Sequence, residues 1–408
     1  MEWGKSLLIW VEEIGYGILY LFLQPLFYIT ILLALVTSYD RIKRDRQLFG
    51  QRVFPRFAEW KKTVMWSILF GLLYSSLLVF TGAMISYEWT IVFSVVIVVL
   101  VLFNQVALLS PAYTVSITAI ALFILNEINV TYPFIERALI TDFELMSYLL
   151  IALLIVEMVL HMTTRRNRTF PNIHKGDRGK YIGSHLAKRL IVVPMFVPVP
   201  DGVLTLSPIF EWWPLLPLGS DGFSLMLVPF LLGFSQRFRG HFSEVGAKRV
   251  ARWLSMLIVI CVGLAVGAIY VEELTLAIFI VAIFGRLGIF LLIRFLDMEK
   301  RPIFTPRTDG MIVLGVIPNS PASEMNIQVG EIIEKVHDIP VTNEHEFFEV
   351  MSEHRTYCKL AIRNLDGETR FAQRPLYEGE LHELGLIFVK ETPRFKLKTE
   401  TLQMETTE

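Results

Sequence analysis

Thr90-Ile-Val-Phe-Ser-Val-Val-Ile-Val-Val-Leu-Val-Leu-Phe-Asn-Gln-Val-Ala-Leu-Leu109 contains no charged side chain. About twenty apolar residues carry a helix across the hydrocarbon core of a bilayer, and a water-soluble fold rarely hides such a run. Outward from this stretch, the same length criterion predicts spans over 17–38, 63–85, 90–109, 111–130, 143–162, 253–272 and 274–296. The whole chain agrees. Of 408 residues 53% are hydrophobic, 12% aromatic and only 19% charged, against about 25% charged in soluble proteins. The expected fold class is a polytopic α-helical membrane protein of about 7–9 helical segments, followed by a small α+β domain. A cytosolic enzyme, a secreted disulfide scaffold and an ordinary basic nucleic-acid binder are excluded.

Residues 190–235 are apolar but broken by Pro194, Pro198, Pro200, Pro208, Pro214, Pro217 and Pro229, with turn pairs at Asp201-Gly202 and Asp221-Gly222. This segment reads either as two short spans or as a Pro-rich hairpin or re-entrant segment at the interface. Lys and Arg gather in three loops, 39–62, 163–189 and 236–252, whereas the other connections are acidic or nearly uncharged. Positive charge stays on the cytoplasmic side. All three loops share that side if 190–235 crosses an even number of times, which places the C-terminal end inside and the N-terminus outside. Residues 1–14 also suit an amphipathic helix lying flat. Glu2, Glu12 and Glu13 stand where a signal peptide would be basic, so the first span is expected to remain as an anchor. Cys261 and Cys358 do not make a disulfide framework.

At residue 299 the composition becomes that of a small soluble domain extending to 390, followed by a polar tail, 391–408, expected to be disordered. Arg301-Pro302 and Thr305-Pro306 read as a short linker. Alternating runs predict strands over Met311–Ile317, Ile332–Val336, Lys359–Asn364, Thr369–Gln373 and Leu384–Val389, with an Asp366-Gly367 hairpin turn. Asn343 followed by Glu346 predicts a helix start with a capping box, and Phe347, Phe348 and Met351 supply its apolar face.

This part resembles a PDZ domain of the bacterial type. The resemblance rests on Gly310-Met-Ile-Val-Leu-Gly-Val316, Ser320-Pro321-Ala322, Ile327-Gln-Val-Gly330-Glu331-Ile-Ile333, Val336 and Ile339-Pro340-Val341. Ser320 suits a helix N-cap before Pro321, and Gly330 suits a turn with positive φ. Glu331 replaces the usual Asp, Asn326 the usual Gly and Asp338 a second Gly; Asn and Asp best tolerate the left-handed conformation. The resemblance implies peptide binding by β-augmentation, an extended peptide adding to an open sheet edge. Leu384, Gly385, Leu386, Ile387 and Phe388 would form the binding strand and carboxylate loop, and Phe347, Phe348 and Met351 would border the pocket. The same apolar residues equally suit a domain core.

Catalytic signatures are missing. His345-Glu346-Phe347-Phe348-Glu349 ends in Glu where a zinc protease needs a second His, and no Gly-x-Ser-x-Gly lies in the spans. No enzyme activity, metal or cofactor is expected. Glu127, Glu157, His161 and Arg286 are ionisable residues in or near spans, where charge is by default a functional hypothesis. Glu157 and His161, at helical spacing, would suit a proton relay or a metal. In the plainer reading they reach water near the cytoplasmic end, while Arg286 pairs with a carboxylate to fix helix packing. Asn104 and Gln105 read as interhelical hydrogen-bonding groups. Trp3, Trp10 and Trp212-Trp213 suit interface anchors, and the basic loops also suit anionic headgroups.

The whole chain resembles the MinJ family, topological determinants of cell division in rod-shaped Gram-positive bacteria. Besides the architecture, Tyr181-Ile-Gly-Ser-His-Leu-Ala-Lys-Arg189 and Val228-Pro229-Phe230-Leu231-Leu232-Gly233-Phe234 carry this resemblance. It implies a non-enzymatic scaffold at septum and poles that bridges DivIVA, a curvature-sensing protein, to the MinD ATPase with its division inhibitor MinC. Other division membrane proteins and the lipid bilayer would be further partners, with no nucleic acid and no small-molecule substrate. The alternatives are a PDZ-regulated transporter and an adaptor for a membrane protease.

Overall fold

A computed structural model of the chain describes residues 2–61, 63–103, 105–130, 132–176, 179–205, 222–353, 357–376 and 384–389, with side chains from Leu8 onward. Asn104, Pro208, Trp212-Trp213, Pro214, Pro217, Asp221, the side chain of Trp3 and the 391–408 tail lie outside the described residues. The first part of the chain forms α1 (Glu2–Leu21), α2 (Pro25–Phe49), α3 (Val64–Thr81), α4 (Tyr87–Leu102), α5 (Pro111–Glu127), α6 (Pro133–Ala138) and α7 (Phe143–Met162). Strands β1 (Phe170–Lys175), β2 (Tyr181–Leu204) and β3 (Phe223–Phe238) follow, and then α8 (Ser243–Ala268) and α9 (Leu274–Met298).

Among the described residues, five helices are long and apolar enough to cross a membrane: α2, α3, α7, α8 and α9. Two of the expected spans are divided. The 17–38 stretch is two helices, because Pro25 opens α2 and Gln24 before it is extended (φ −86°, ψ 131°). The 90–109 stretch ends as an α-helix at Leu102, and a 3₁₀ turn over Val106–Leu109 precedes the next helix, which Pro111 opens. That leaves α4 and α5 as apolar helices of 16 and 17 residues. Residues 2–14 belong to α1 rather than forming a separate surface helix.

The largest difference concerns 190–235, whose described residues are not helical. Its described residues form a long antiparallel ribbon, with Arg189 opposite Phe234 and Pro200 opposite Phe223, buried among the helices. Pro194, Pro198 and Pro200 would break a helix, while Val192, Val193, Phe196, Val197 and Val199 favour a strand. A strand edge inside an apolar protein layer must satisfy its own backbone. Here the outward groups of β2 lie at even positions and meet side chains or chain turns. Ser67 Oγ donates to the Val192 carbonyl, the Phe196 N–H donates to Ser75 Oγ (2.8 Å), and the Ile85 N–H donates to the Pro198 carbonyl (2.9 Å). The prolines share that parity, so they occupy positions whose N–H would have faced an edge without a strand partner. On the outer edge of β3, Gln24 Nε2 donates to the Leu227 carbonyl (2.8 Å). Two helices approach the ribbon through glycine: a Cβ on Gly71 would stand 2.4 Å from the Pro194 oxygen, and one on Gly17 2.6 Å from the Leu225 oxygen.

The C-terminal region is β-rich. It contains β4 (Met311–Val316), α10 (Pro321–Glu324), β5 (Ile332–Val336), β6 (Ile339–Pro340), α11 (Glu344–Glu353), β7 (Tyr357–Arg363), β8 (Thr369–Pro375) and β9 (Leu386–Phe388). The sheet runs β8-β7-β5-β4-β9, with β6 paired to β5. Gly330 (φ 94°), Asn326 (φ 54°) and Asp338 (φ 69°) take the left-handed conformation their side chains suit. Glu331 is buried against Arg370 (2.9 Å) and accepts from the Gln328 N–H (2.8 Å), so the longer acid still ties down the turn.

The linker is docked. Phe304 is fully buried between the His185 and Phe242 rings, and the Gly183 N–H donates to its carbonyl (2.8 Å). Asn167 Oδ1 accepts from the Val329 N–H (3.1 Å), and the Arg166 guanidinium lies 4.0 Å over Phe242. Helical and β-rich regions therefore meet through an apolar joint built on β1, the start of β2 and the linker.

Candidate peptide-binding groove

β9 stands at the end of its sheet, pairing with β4 on one side, with α11 beside its other side. The α11 start is set by a reciprocal cap. The Glu346 N–H donates to Asn343 Oδ1 (2.9 Å) while Asn343 Nδ2 donates to Glu346 Oε1 (2.6 Å). The Thr342 N–H, donating to Glu346 Oε2 at 2.8 Å, holds that carboxyl below its ordinary range. From this start the helix turns Phe347, Val350 and Met351 inward and leaves Phe348 36% exposed.

A cavity of about 430 Å³ opens between α11 and β9, and Phe347, Phe348, Leu384, Gly385, Leu386, Ile387 and Phe388 line it. The Phe347 ring closes its floor, 5.4 Å from both Phe348 and Phe388. Met351 is not in the lining; at 1% exposure it belongs to the core, on the same helical face as Phe347. The loop before β9 is tied inward: the Leu384 carbonyl accepts from Ala322 (3.0 Å) and the Gly385 carbonyl from Ile317 (2.8 Å). Gly385 has φ 83°, and a Cβ there would stand 2.1 Å from Ser320 Oγ, so only glycine fits this loop.

The far wall comes from elsewhere in the chain. Phe49, Gly50 and Gln51, at the C-terminal end of α2, line the same cavity. Gly50 closes α2 in the left-handed conformation (φ 75°), its N–H donating to the Arg46 carbonyl. That cap is readable in the sequence; its meeting with β9, more than 300 residues on, is not.

Contrary to expectation, Glu157 and His161 do not reach water, whereas Arg286 pairs with a carboxylate as expected. Glu157 and His161 are each 1% exposed and Arg286 is 3% exposed. Arg286 Nε donates to Glu157 Oε1 (2.9 Å), Ser110 Oγ donates to Oε2 (2.5 Å), and His161 Nε2 lies 3.8 Å from Oε1 with its ring stacked on Phe234. The Arg286–carboxylate pairing joins α7 to α9, and a guanidinium on the carboxylate disfavours a cation there. Glu127 and Gln105 are exposed; Gln105 precedes a 3₁₀ turn and makes no side-chain capping bond. Trp10 packs edge-on against Phe223 at the end of the ribbon (6.1 Å).

No family model and no solved structure matches the chain. Curated proteins do. The chain is 32% identical over 394 residues to the cell division topological determinant MinJ of Bacillus subtilis (strain 168), covering 96% of this chain and 97% of that protein. It is 26% identical over 224 residues to probable cell division topological determinants MinJ of Lacticaseibacillus paracasei and of Lacticaseibacillus casei (strain BD-II), covering 54% of this chain and 59% of each. A match of that identity along nearly the whole of both chains places this protein in the MinJ family of cell division topological determinants.

Proposed function

We propose that the protein is a non-enzymatic, multi-pass membrane scaffold for division-site selection. The C-terminal region is a cytoplasmic PDZ domain, spanning 299–390, that takes an extended peptide along β9. The near full-length similarity to a division topological determinant carries the cellular role. The cavity between α11 and the outer side of β9 supports the peptide-binding part, because an added strand would find main-chain groups on one side and apolar side chains on the other. Leu384–Leu386 would receive a terminal carboxylate; Phe347 and Phe348 would read the side chains. Five long helices, with α4, α5 and the β2–β3 ribbon, carry the chain through the membrane, and the basic loops face the cytoplasm. The membrane confines the PDZ domain to the inner surface and raises its effective concentration toward other membrane-associated partners. A bridge between a DivIVA-like polar scaffold and a MinD-like ATPase with MinC, enriched at septum and poles, is the reading this supports.

The test is live-cell imaging of a fluorescent fusion in a rod-shaped Gram-positive host, with and without residues 300–408. Enrichment at septa and poles, with misplaced division and filamentous or minute cells on deletion, is expected. A uniform membrane signal with normal division in both strains overturns the proposal.

A further inference from the structure

A second cavity, of about 440 Å³, lies where the helical region meets the β-rich region. Its lower wall contains Lys61, just before α3, and Thr163 and Thr164, just after α7, which sets it at the level where apolar helices end. Its roof comes from the turns around α10, with Asn319, Ser323, Asn326 and Gln328. Lys61, Arg165, Arg168, Lys188 and Arg189 converge on the space between, against one carboxylate, Glu59. That carboxylate is already engaged, its Oε1 receiving Arg41 Nε at 2.9 Å. Among the described residues Arg189 donates to the neutral Leu160 carbonyl (2.8 Å) and Thr163 Oγ1 (2.7 Å). Lys61, Arg165, Arg168 and Lys188 make no ion pair among the described residues. Burial first, and the neighbouring Arg165 charge second, hold the Arg168 guanidinium below its ordinary range.

The positive-inside rule explains why such residues lie on one side of a membrane. It does not explain why five cations from three separate chain segments surround one cavity whose single lining carboxylate, Glu59, is already paired with Arg41. Guanidinium forks and ammonium groups around a shared space match phosphate oxygens, and the volume exceeds the ~30 Å³ share of one water many-fold. The amides and hydroxyl of the roof suit the hydroxyls that accompany a phosphate.

We infer that this cleft binds a phosphate-bearing anion the size of a phospholipid headgroup, and that the occupant joins the helical and β-rich regions at the membrane surface. The same chemistry is offered by an anionic lipid or by a soluble phosphorylated compound.

The test uses the full chain in neutral maltoside detergent, titrated by thermophoresis with dioctanoyl phosphatidylglycerol, dioctanoyl phosphatidylcholine and inorganic pyrophosphate. Phosphatidylglycerol is expected to bind at least tenfold more tightly than phosphatidylcholine, and to weaken as salt rises. The Arg168→Gln/Lys188→Gln variant should lose at least tenfold in affinity, and Lys180→Gln, outside the cavity, should lose nothing. Ser323→Trp fills the space from the roof without removing a charge, and should cut binding even if the charge variant does not fold. Binding of pyrophosphate with the same residue dependence, without binding of phosphatidylglycerol, assigns the site to a soluble phosphate. If neither anion binds more tightly than phosphatidylcholine, or if Ser323→Trp binds phosphatidylglycerol like the unaltered chain, the inference is overturned.

Discussion

Two strand edges in this molecule meet opposite fates. The ribbon of β2 and β3 is buried among helices, and its outward backbone groups are spent on Ser67, Ser75, Gln24 and the Ile85 amide, with prolines where no acceptor waits. The edge strand β9 has a cavity and a helix beside it instead. A strand edge is a template for another chain, and this protein closes that template inside its helical layer and leaves space along it in the β-rich region. The contrast is between an edge whose backbone groups are already engaged and an edge with open space beside it.

The largest expected effect comes from forcing the closed edge apart. Gly71→Val places a branched side chain where a Cβ alone would already be 2.4 Å from the Pro194 oxygen. Relief requires α3 to move off β2, at a cost of about 1–3 kcal/mol or more. The expected outcome is a much reduced yield of folded protein and early unfolding in detergent, followed by thermal denaturation. A stable, fully folded Gly71→Val protein would mean that the ribbon does not pack against α3 as described. Ser75→Ala is milder and tests the hydrogen-bond argument alone. It leaves the part-buried Phe196 N–H without its acceptor, which should lower stability by about 1 kcal/mol, whereas Ser76→Ala, on the exposed face of the same helix, should be neutral within about 0.5 kcal/mol.

The joint between the two regions makes a pH-dependent prediction. His185 is buried against Phe304, its Nδ1 2.9 Å from Thr169 Oγ1, and burial holds it down at about 4, below its ordinary 6.5. A group with a depressed folded pKa stabilises the fold fully above its unfolded pKa and progressively less as pH falls through the folded one. Docking should therefore be intact above pH 6.5 and weaken between 6.5 and 4, by up to about 3 kcal/mol. Proteolysis at the 299–310 linker, followed across that range, should accelerate on acidification, and His185→Phe should flatten the profile. An unchanged cleavage rate at pH 5 would separate His185 from the joint.

The helical region was legible where a length rule suffices, because a run such as Phe143–Met162 needs only composition to be recognised. The ribbon was not. Strands buried on both faces show neither a period of two nor one of 3.6, so 190–235 reads as apolar and broken. The even spacing of Pro194, Pro198 and Pro200 was the available signal, since in a ribbon it places all three on one edge. Around the groove, motif residues located β9 and its loop, but helical spacing alone did not separate Phe348, which lines the cavity, from Met351, which packs in the core. Phe49, Gly50 and Gln51 were invisible because their place in the wall depends on how two distant regions dock.

That wall sharpens the comparison to its smallest expected effect. Phe348 is partly exposed at the lip of the groove, so Phe348→Ala should change stability by less than about 0.5 kcal/mol. If the groove receives a peptide, the same change should weaken binding by about 1 kcal/mol or more, roughly fivefold, because an aromatic side chain bordering a pocket contributes mainly through contact area. A panel of C-terminal peptides, titrated against the full chain, supplies the ligand for that measurement. Gln51→Trp narrows the cavity from the α2 side and should weaken the same peptide without altering the β-rich fold. Equal affinities for the unaltered chain, Phe348→Ala and Gln51→Trp would place the peptide outside this cavity, and the β9 edge would then be a closed edge of another kind.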